Sequence, residues 1–431
     1  MVDSTILQQP VDYKLAGGTY FGDKTVCVYD NGLFTSLAQT LGLQFGRVFY
    51  HSPWVQSFPL GNATILGRGI ANVVRIDSIW PVLEDIDLFV FPDIYDGPLQ
   101  VYLRSIGKRV WGSGLAESLE FNRVKQKRWL KDIGLPVAPY RAIKGTIDLR
   151  RHLQRNDDQY VKISVTRGDM ETFHAKTYPL IEPRLDELEH ALGAKKNITE
   201  WVCEDAIDTE IEVGYDGFTI DGQYPQHSLF GIETKDAGYI GQVSSTAAMP
   251  RGIGYVNSKL SPLFRDLKYR GFWSSELRIA RDGTPYLIDP CCRMASPPGE
   301  LYQYLIENLA DVLWNGAGGM VLEPKFRHQW GAQLILTSDW AEHGWQPIDF
   351  PNEISEHVKL HYLTVIDGKQ YFVPQPIKFP HIGAVVAGGA TKQEAINTVA
   401  AIAEQVQGYD VRFNIHALEE AAAGMEQLRA A

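Results

Sequence analysis

Four cysteines in 431 residues, Cys27, Cys203, Cys291 and Cys292, are too few for a disulfide framework, and none belongs to a CxxC metal knuckle. The adjacent Cys291-Cys292 is either a soft-metal or redox pair or two reduced thiols, and the second, plainer reading is adopted. Positive charge is in the minority. Against 52 Asp and Glu stand 41 Lys and Arg, for a formal charge of -11 and a pI near 5.5. That balance excludes extensive nucleic-acid binding but leaves room for a basic pocket holding one nucleotide. No run of about 18 apolar residues is present to span a membrane. Met1 to Asp23 lacks the basic start and apolar core of a secretory leader, so a cytoplasmic location is expected. Also missing are the phosphate-cradling GxxxxGK[ST] and a full GxGxxG, because Gly112-Ser113-Gly114 supplies only the first two glycines. No internal repeat or low-complexity tract occurs.

What is present is an ordinary globular composition, 45% hydrophobic and 22% charged, in a chain long enough for several packed domains. Lys24 to Tyr29, Asp87 to Phe91 and Lys108 to Trp111 read as short buried strands. They alternate with helical patterns at Leu33 to Leu43 and Pro98 to Ile106, which predicts an α/β, doubly wound parallel sheet. A long helix is expected over Ala116 to Ile133, stopped by Gly134 and Pro136, with Arg123, Lys127 and Lys131 on one face as either a solvated stripe or a functional one. Short strands and a helix at Glu182 to Leu192 follow. A strand-rich block runs from Glu210 to Val243, and a hairpin turns at Asp282-Gly283. Leu301 to Leu313 reads as a helix, and Gly316 to Pro324 separates the tail.

Two stretches could carry chemistry. The loop Val165 to Lys176 follows a strand bearing Lys162, and Arg167, Gly168 and the loop amides are suited to closing over phosphates; the alternative is an exposed hairpin loop. The hairpin from Ser275 to Arg293 places Glu276 and Asp289 near the ends of adjacent strands, where two carboxylates can share one hard cation, with Arg293 as a fork-shaped phosphate donor. The alternative pairs these acids with Arg278 or Arg293 in structural salt bridges.

Taken in order, these segments resemble the ATP-grasp superfamily, and within it the phosphoribosylamine–glycine ligases. Phe89-Val90-Phe91-Pro92 through Gly112-Ser113 resembles the passage into the grasp, and the next helix ends in the similar Gly134-Leu135-Pro136. The resemblance implies a fold of three parts: an N-terminal doubly wound pre-ATP-grasp domain (1–115), an ATP-grasp domain of two α+β subdomains (116–322, with 160–212 as a lid-like subdomain) and a smaller C-terminal α/β domain (323–431). His381 to Ala390 and the helix from Lys392 resemble the closing domain.

The resemblance further implies ATP and Mg2+ as cofactors, with Mn2+ as the alternative ion, and small-molecule carboxylate and amine substrates joined through an acyl-phosphate. An amino acid such as glycine is the expected carboxylate. The same chemistry on a modified nucleotide or nucleobase, or nucleotide binding without ligation, are the alternatives. Arg123 stands where the family carries a phosphate lysine, and Lys162 matches the lysine before the phosphate loop. Val202-Cys203-Glu204-Asp205-Ala206-Ile207 resembles the adenine hinge, giving Glu204 and Ile207 to the nucleotide, with Glu210 or Glu212 on the ribose. Lys235, Arg293 and Glu300 are expected to contact substrate, Arg293 and Lys162 to be catalytic, and Glu276 and Asp289 to hold metal. The family's Glu-x-Asn-x-Arg reads here as Asp289-Pro290-Cys291-Cys292-Arg293. Cys291 therefore replaces an oxygen donor by a sulfur that Mg2+ disfavours.

Overall fold

The computed structural model describes residues 18–53, 64–164, 172–375 and 380–430, with the side chains of 209–211 and 426–430 left aside. Arg167 and Gly168 therefore lie outside the described residues, as does most of the Met1 to Asp23 segment. Among the described residues no helix is long and apolar enough to cross a membrane.

The chain begins with strands β1 (Phe21–Tyr29), β2 (Phe45–His51), β3 (Val73–Arg75), β4 (Leu88–Val90) and β5 (Arg109–Trp111). They form one sheet in the order β3-β2-β1-β4-β5, with every neighbouring pair parallel, as the alternating pattern requires. The order reverses between β1 and β4, so the crevice at their carboxyl ends is the switch point of the sheet. Pro92 follows β4 there, and its carbonyl accepts the amide of Met294 at 2.8 Å, which joins this edge to the end of the acidic hairpin.

The expected long helix is broken. Ser118–Phe121 and Arg123–Asp132 are separate helices because Asn122 leaves helical geometry (φ -97°, ψ 82°), and its side chain caps the second by accepting from the Lys125 amide at 3.0 Å. Leu301 to Leu313 is likewise divided, into Gly299–Leu305 and Leu309–Ala317. The helix predicted at Glu182 to Leu192 starts earlier, at Tyr178.

Next comes a small antiparallel sheet of β6 (Tyr140–Lys144), β7 (Gln159–Ile163), β8 (Thr172–Ala175) and β9 (Glu200–Asp205), ordered β6-β9-β7-β8. It has its own core of Val161, Ile163, Trp201, Leu149 and Leu185, separate from the main one. Alternation along β7 buries Val161 and Ile163 in that core and turns Tyr160 and Lys162 to the other face.

The rest of the chain supplies β10 (Thr209–Ile220), β11 (His227–Thr234), β12 (Gly238–Ser245), β13 (Arg270–Ala280), β14 (Pro285–Cys291), β15 (Trp330–Thr337), β16 (Gln346–Ile348), β17 (Val358–Leu360), β18 (Leu363–Ile366), β19 (Lys369–Phe372) and β20 (His381–Gly389). Eight of these form one sheet, β14-β13-β10-β11-β12-β15-β20-β17, so strands from either side of the Gly316 to Pro324 stretch share one hydrogen-bonded surface. The remaining three, β16, β19 and β18, form a small sheet of their own. The β13–β14 hairpin turns through Gly283 at φ +82°, as Asp282-Gly283 predicts.

Candidate active site

Two adjoining cavities open on one face of the eight-stranded sheet, and the outer one is bounded on its other side by the small sheet. The outer, about 540 Å3, is lined by Lys162, Glu204, Ile207, Lys235 and Arg278 among others; the inner, about 400 Å3, by Asp216, Tyr239, Ser274 and Cys291 among others. Glu212, Glu233, Glu276, Asp289, Arg293 and Ser296 line both.

Strand register explains the floor. Glu276 faces Asp289 on β14 and Gly214 on β10, and Ser274 faces Cys291 and Asp216. The period of two puts these side chains on one surface. Burial, with the carboxylates of Glu212 and Asp289 alongside, pushes the Glu276 carboxyl up to about 7. Asp289 behaves oppositely. Burial would raise its carboxyl too, but Arg123 and Lys162 hold it below the usual range. Arg123 Nη1 lies 2.9 Å from Asp289 Oδ1, and the carboxylate remains 50% exposed to the cavity.

This asymmetry fits a hard dication. Two crowded oxygen-donor acids, one carrying a proton for want of positive charge, are what a Mg2+ ion completed by phosphate oxygens would relieve. Among the described residues no group of three or more His, Cys, Asp or Glu converges as a metal cluster. Cys291 is not drawn into one, and its Sγ lies 3.7 Å from the Arg293 carbonyl.

The outer cavity sets four cations, Lys162, Lys235, Arg278 and Arg293, among six carboxylates. Lys162 Nζ donates to the Ile288 carbonyl at 3.1 Å and lies 4.0 Å from Glu204 Oε2. Lys127, absent from the expected site, reaches Glu204 Oε1 at 2.7 Å and is 2% exposed. Burial brings its ammonium down to about 8. For Glu204 burial acts upward, but Lys162 and Lys127 hold the carboxyl below its usual value. Arg123 and Lys127, one helical turn apart, thus form a buried face and not the solvated stripe; only Lys131 of the three is exposed, beside the Tyr140 ring. The spacing of that triplet was the signal for Lys127.

Glu212 lines both cavities and pairs with Arg278 at 3.2 Å. Glu210 belongs to β10 where the register shifts between Thr209 and Ile211, and its side chain lies outside the described residues. Arg293 is clasped by Glu120, which accepts from its Nε at 2.8 Å and from the Cys292 amide at 2.7 Å. Glu120 lies in the short helix that the Asn122 break creates, so a simple helical pattern could not reveal it.

Glu300 is placed otherwise than expected. It is fully buried, accepting from Ser296 Oγ at 2.7 Å and Gln333 Nε2 at 2.8 Å, with His361 Nε2 also at 2.8 Å. It lines neither cavity, and its carboxylate has no free face for substrate.

Among solved structures, phosphoribosylamine–glycine ligase from Thermotoga maritima matches 90% of this chain and 98% of its own with a TM-score of 0.70 at 16% identity. The chain has the ATP-grasp fold. The same fold appears in the biotin carboxylase domain of 2-oxoglutarate carboxylase from Hydrogenobacter thermophilus, solved with MgADP, ADP and bicarbonate, at TM-score 0.65, 12% identity and coverage of 91% and 92%. An L-amino acid ligase from Bacillus licheniformis matches at TM-score 0.57, 15% identity and coverage of 91% and 99%. No sequence-family model and no curated protein sequence matches this chain. The ATP-grasp likeness is therefore one of fold, and the chemistry rests on the chain's own residues.

Proposed function

We propose that this protein is an ATP-dependent carboxylate–amine ligase that works through an acyl-phosphate and releases ADP and phosphate. The observation that carries the reading is the Glu276–Asp289 pair, shared by an outer cavity that also holds Lys162, Lys235 and Arg278 and a second cavity able to take the reacting groups. Glu276 and Asp289 would hold Mg2+, which supplies positive charge for the transferring phosphoryl group. Lys162 and Arg123 stand beside the same carboxylates and would offset charge on the phosphates. Lys127 and Glu204 fix the wall behind Lys162, Ile207 borders the adenine side and Glu212 would accept from the ribose hydroxyls. Arg293, held in place by Glu120, aims into both cavities and would orient the substrate carboxylate as a two-pronged donor. Lys235 borders the outer cavity and would act on the incoming carboxylate or its phosphate. The loop carrying Arg167 and Gly168 would cover the phosphates.

The neighbours in fold include ligases named for glycine and amino acid substrates, and an amino acid carboxylate is the first class to try. Incubation with ATP, Mg2+ and a panel of carboxylates and amines should give ADP only when both substrates are present, with a product heavier than the carboxylate by the amine less water. ADP release indifferent to the carboxylate, or AMP in place of ADP, contradicts the proposal.

A further inference from the structure

The inner cavity contains two hydroxyls whose protons are already committed. Ser296 donates to Glu300 Oε1 at 2.7 Å, and Tyr239 donates to Asp216 Oδ2 at 2.8 Å. Ser274 lies directly across from Asp216 on the next strand. A hydroxyl has one proton and an ionised carboxylate only accepts, so both oxygens are left as acceptors towards a ligand.

The arrangement is enforced from behind. Burial would raise the Glu300 carboxyl, but His361, Ser296 and Gln333 hold it below its usual value, so it stays an acceptor. Tyr239 reaches across to Asp216 because Gly231 and Gly241 lie beneath its ring, where a Cβ on either would strike it. Asp216 adds a carboxylate to the same wall, burial pushes the neighbouring Glu233 carboxyl up to about 8, and Arg293 is the one cation among the described residues lining this cavity. It is already engaged by Glu120.

Building on the ligase reading, we propose that the inner cavity is the amine site and selects an amine carrying a second ammonium group over one carrying phosphate. Ser296 and Asp216 are the acceptors for that ammonium. Glu300 is a positioning residue that fixes the direction of the Ser296 O–H. An ammonium brings three donors and a positive charge to this wall, whereas a phosphate brings acceptors and negative charge against carboxylates. The substrate class is a short diamine or an amine with a basic side chain, and not a phosphosugar amine.

Two probes of one backbone separate these classes: 1,3-diaminopropane and 3-aminopropyl phosphate, titrated calorimetrically into the full chain with MgADP present. The diamine is expected to bind at least about tenfold more tightly, the scale of one or two charge-assisted hydrogen bonds. Ser296→Ala and Glu300→Gln should each shrink that ratio several-fold. Ser296→Ala leaves Glu300 in place and carries the test if Glu300→Gln does not fold. In turnover, Glu300→Gln should raise the KM for the diamine with little change in kcat, whereas a merely structural role would lower kcat at saturating amine. Equal or tighter binding of the phosphate probe, a ratio unmoved in Ser296→Ala, or no binding of either probe while MgADP still binds would overturn this inference and leave the ligase reading standing. Failure to bind MgADP would overturn the ligase reading itself, and the diamine-to-phosphate ratio measured without nucleotide would still decide the preference.

Discussion

The two cavities share a floor and differ in polarity. Besides the residues they share, the outer one is lined by Lys162, Lys235 and Arg278 with Glu204 and Asp205; the inner one adds Asp216, Tyr239 and Ser274 and no further cation among the described residues. Glu276 and Asp289 stand at the boundary, and their protonation follows the same division: the acid touched by Arg123 is held ionised, and the acid beside Glu212 is not. A phosphoryl donor and an amine acceptor need such different environments, and a site that put them in one uniform pocket would bind one partner at the other's expense.

The largest effect should come from removing the boundary. Asp289→Asn is expected to lower carboxylate-dependent ADP release by at least about a hundredfold, the scale of a lost charged group in phosphoryl transfer, with a native circular dichroism spectrum. Unaltered turnover would remove Asp289 from the metal site. Next in size is the wall behind Lys162. Lys127→Met leaves Glu204 buried with only the longer Lys162 contact, and breaking a buried pair costs about 3 kcal/mol. Denaturant unfolding should show that loss alongside weaker MgADP binding, and an unchanged midpoint would mean the pair is not formed.

The contrast can also be titrated. Glu276, raised to about 7, must lose its proton to hold a cation, so MgADP affinity should rise with pH up to about 7 and then level, by up to about tenfold per unit. Stability without metal runs the other way. The folded state keeps a proton that the unfolded chain releases near 4.5, so this group's contribution falls as pH rises from there towards 7. Calorimetric titrations across that range decide it, and a flat profile contradicts the shift. The smallest effect is expected of Cys291→Ser. If sulfur takes no part in metal binding, ADP release should change by less than about threefold, and a large loss or gain would restore position 291 to the metal site.

The parallel strands β1, β4 and β5, the hairpin at Gly283 and the facing of Glu276 and Asp289 were legible in the sequence, because strand patterning and turn chemistry are local, whereas β2 and β3 were not. Partners from distant segments were not. Glu120 reaches Arg293 only because Asn122 breaks a helix that periodicity alone would run through. Glu300 carries the chemistry of a substrate contact, but its burial between Gln333 and His361 is a tertiary fact with no local trace. Tyr239 and Asp216 meet because two glycines on adjacent strands leave space for the ring, and register of that kind is settled only when the strands pair.

The most direct measurement follows an isotope. With a carboxylate that supports turnover, labelled with 18O in both oxygens, an acyl-phosphate route must transfer one label to inorganic phosphate as the amine displaces it. One 18O per phosphate, found by mass spectrometry alongside ADP and absent in Asp289→Asn, is the predicted result. Phosphate free of label while product accumulates would contradict activation of the carboxylate at this site.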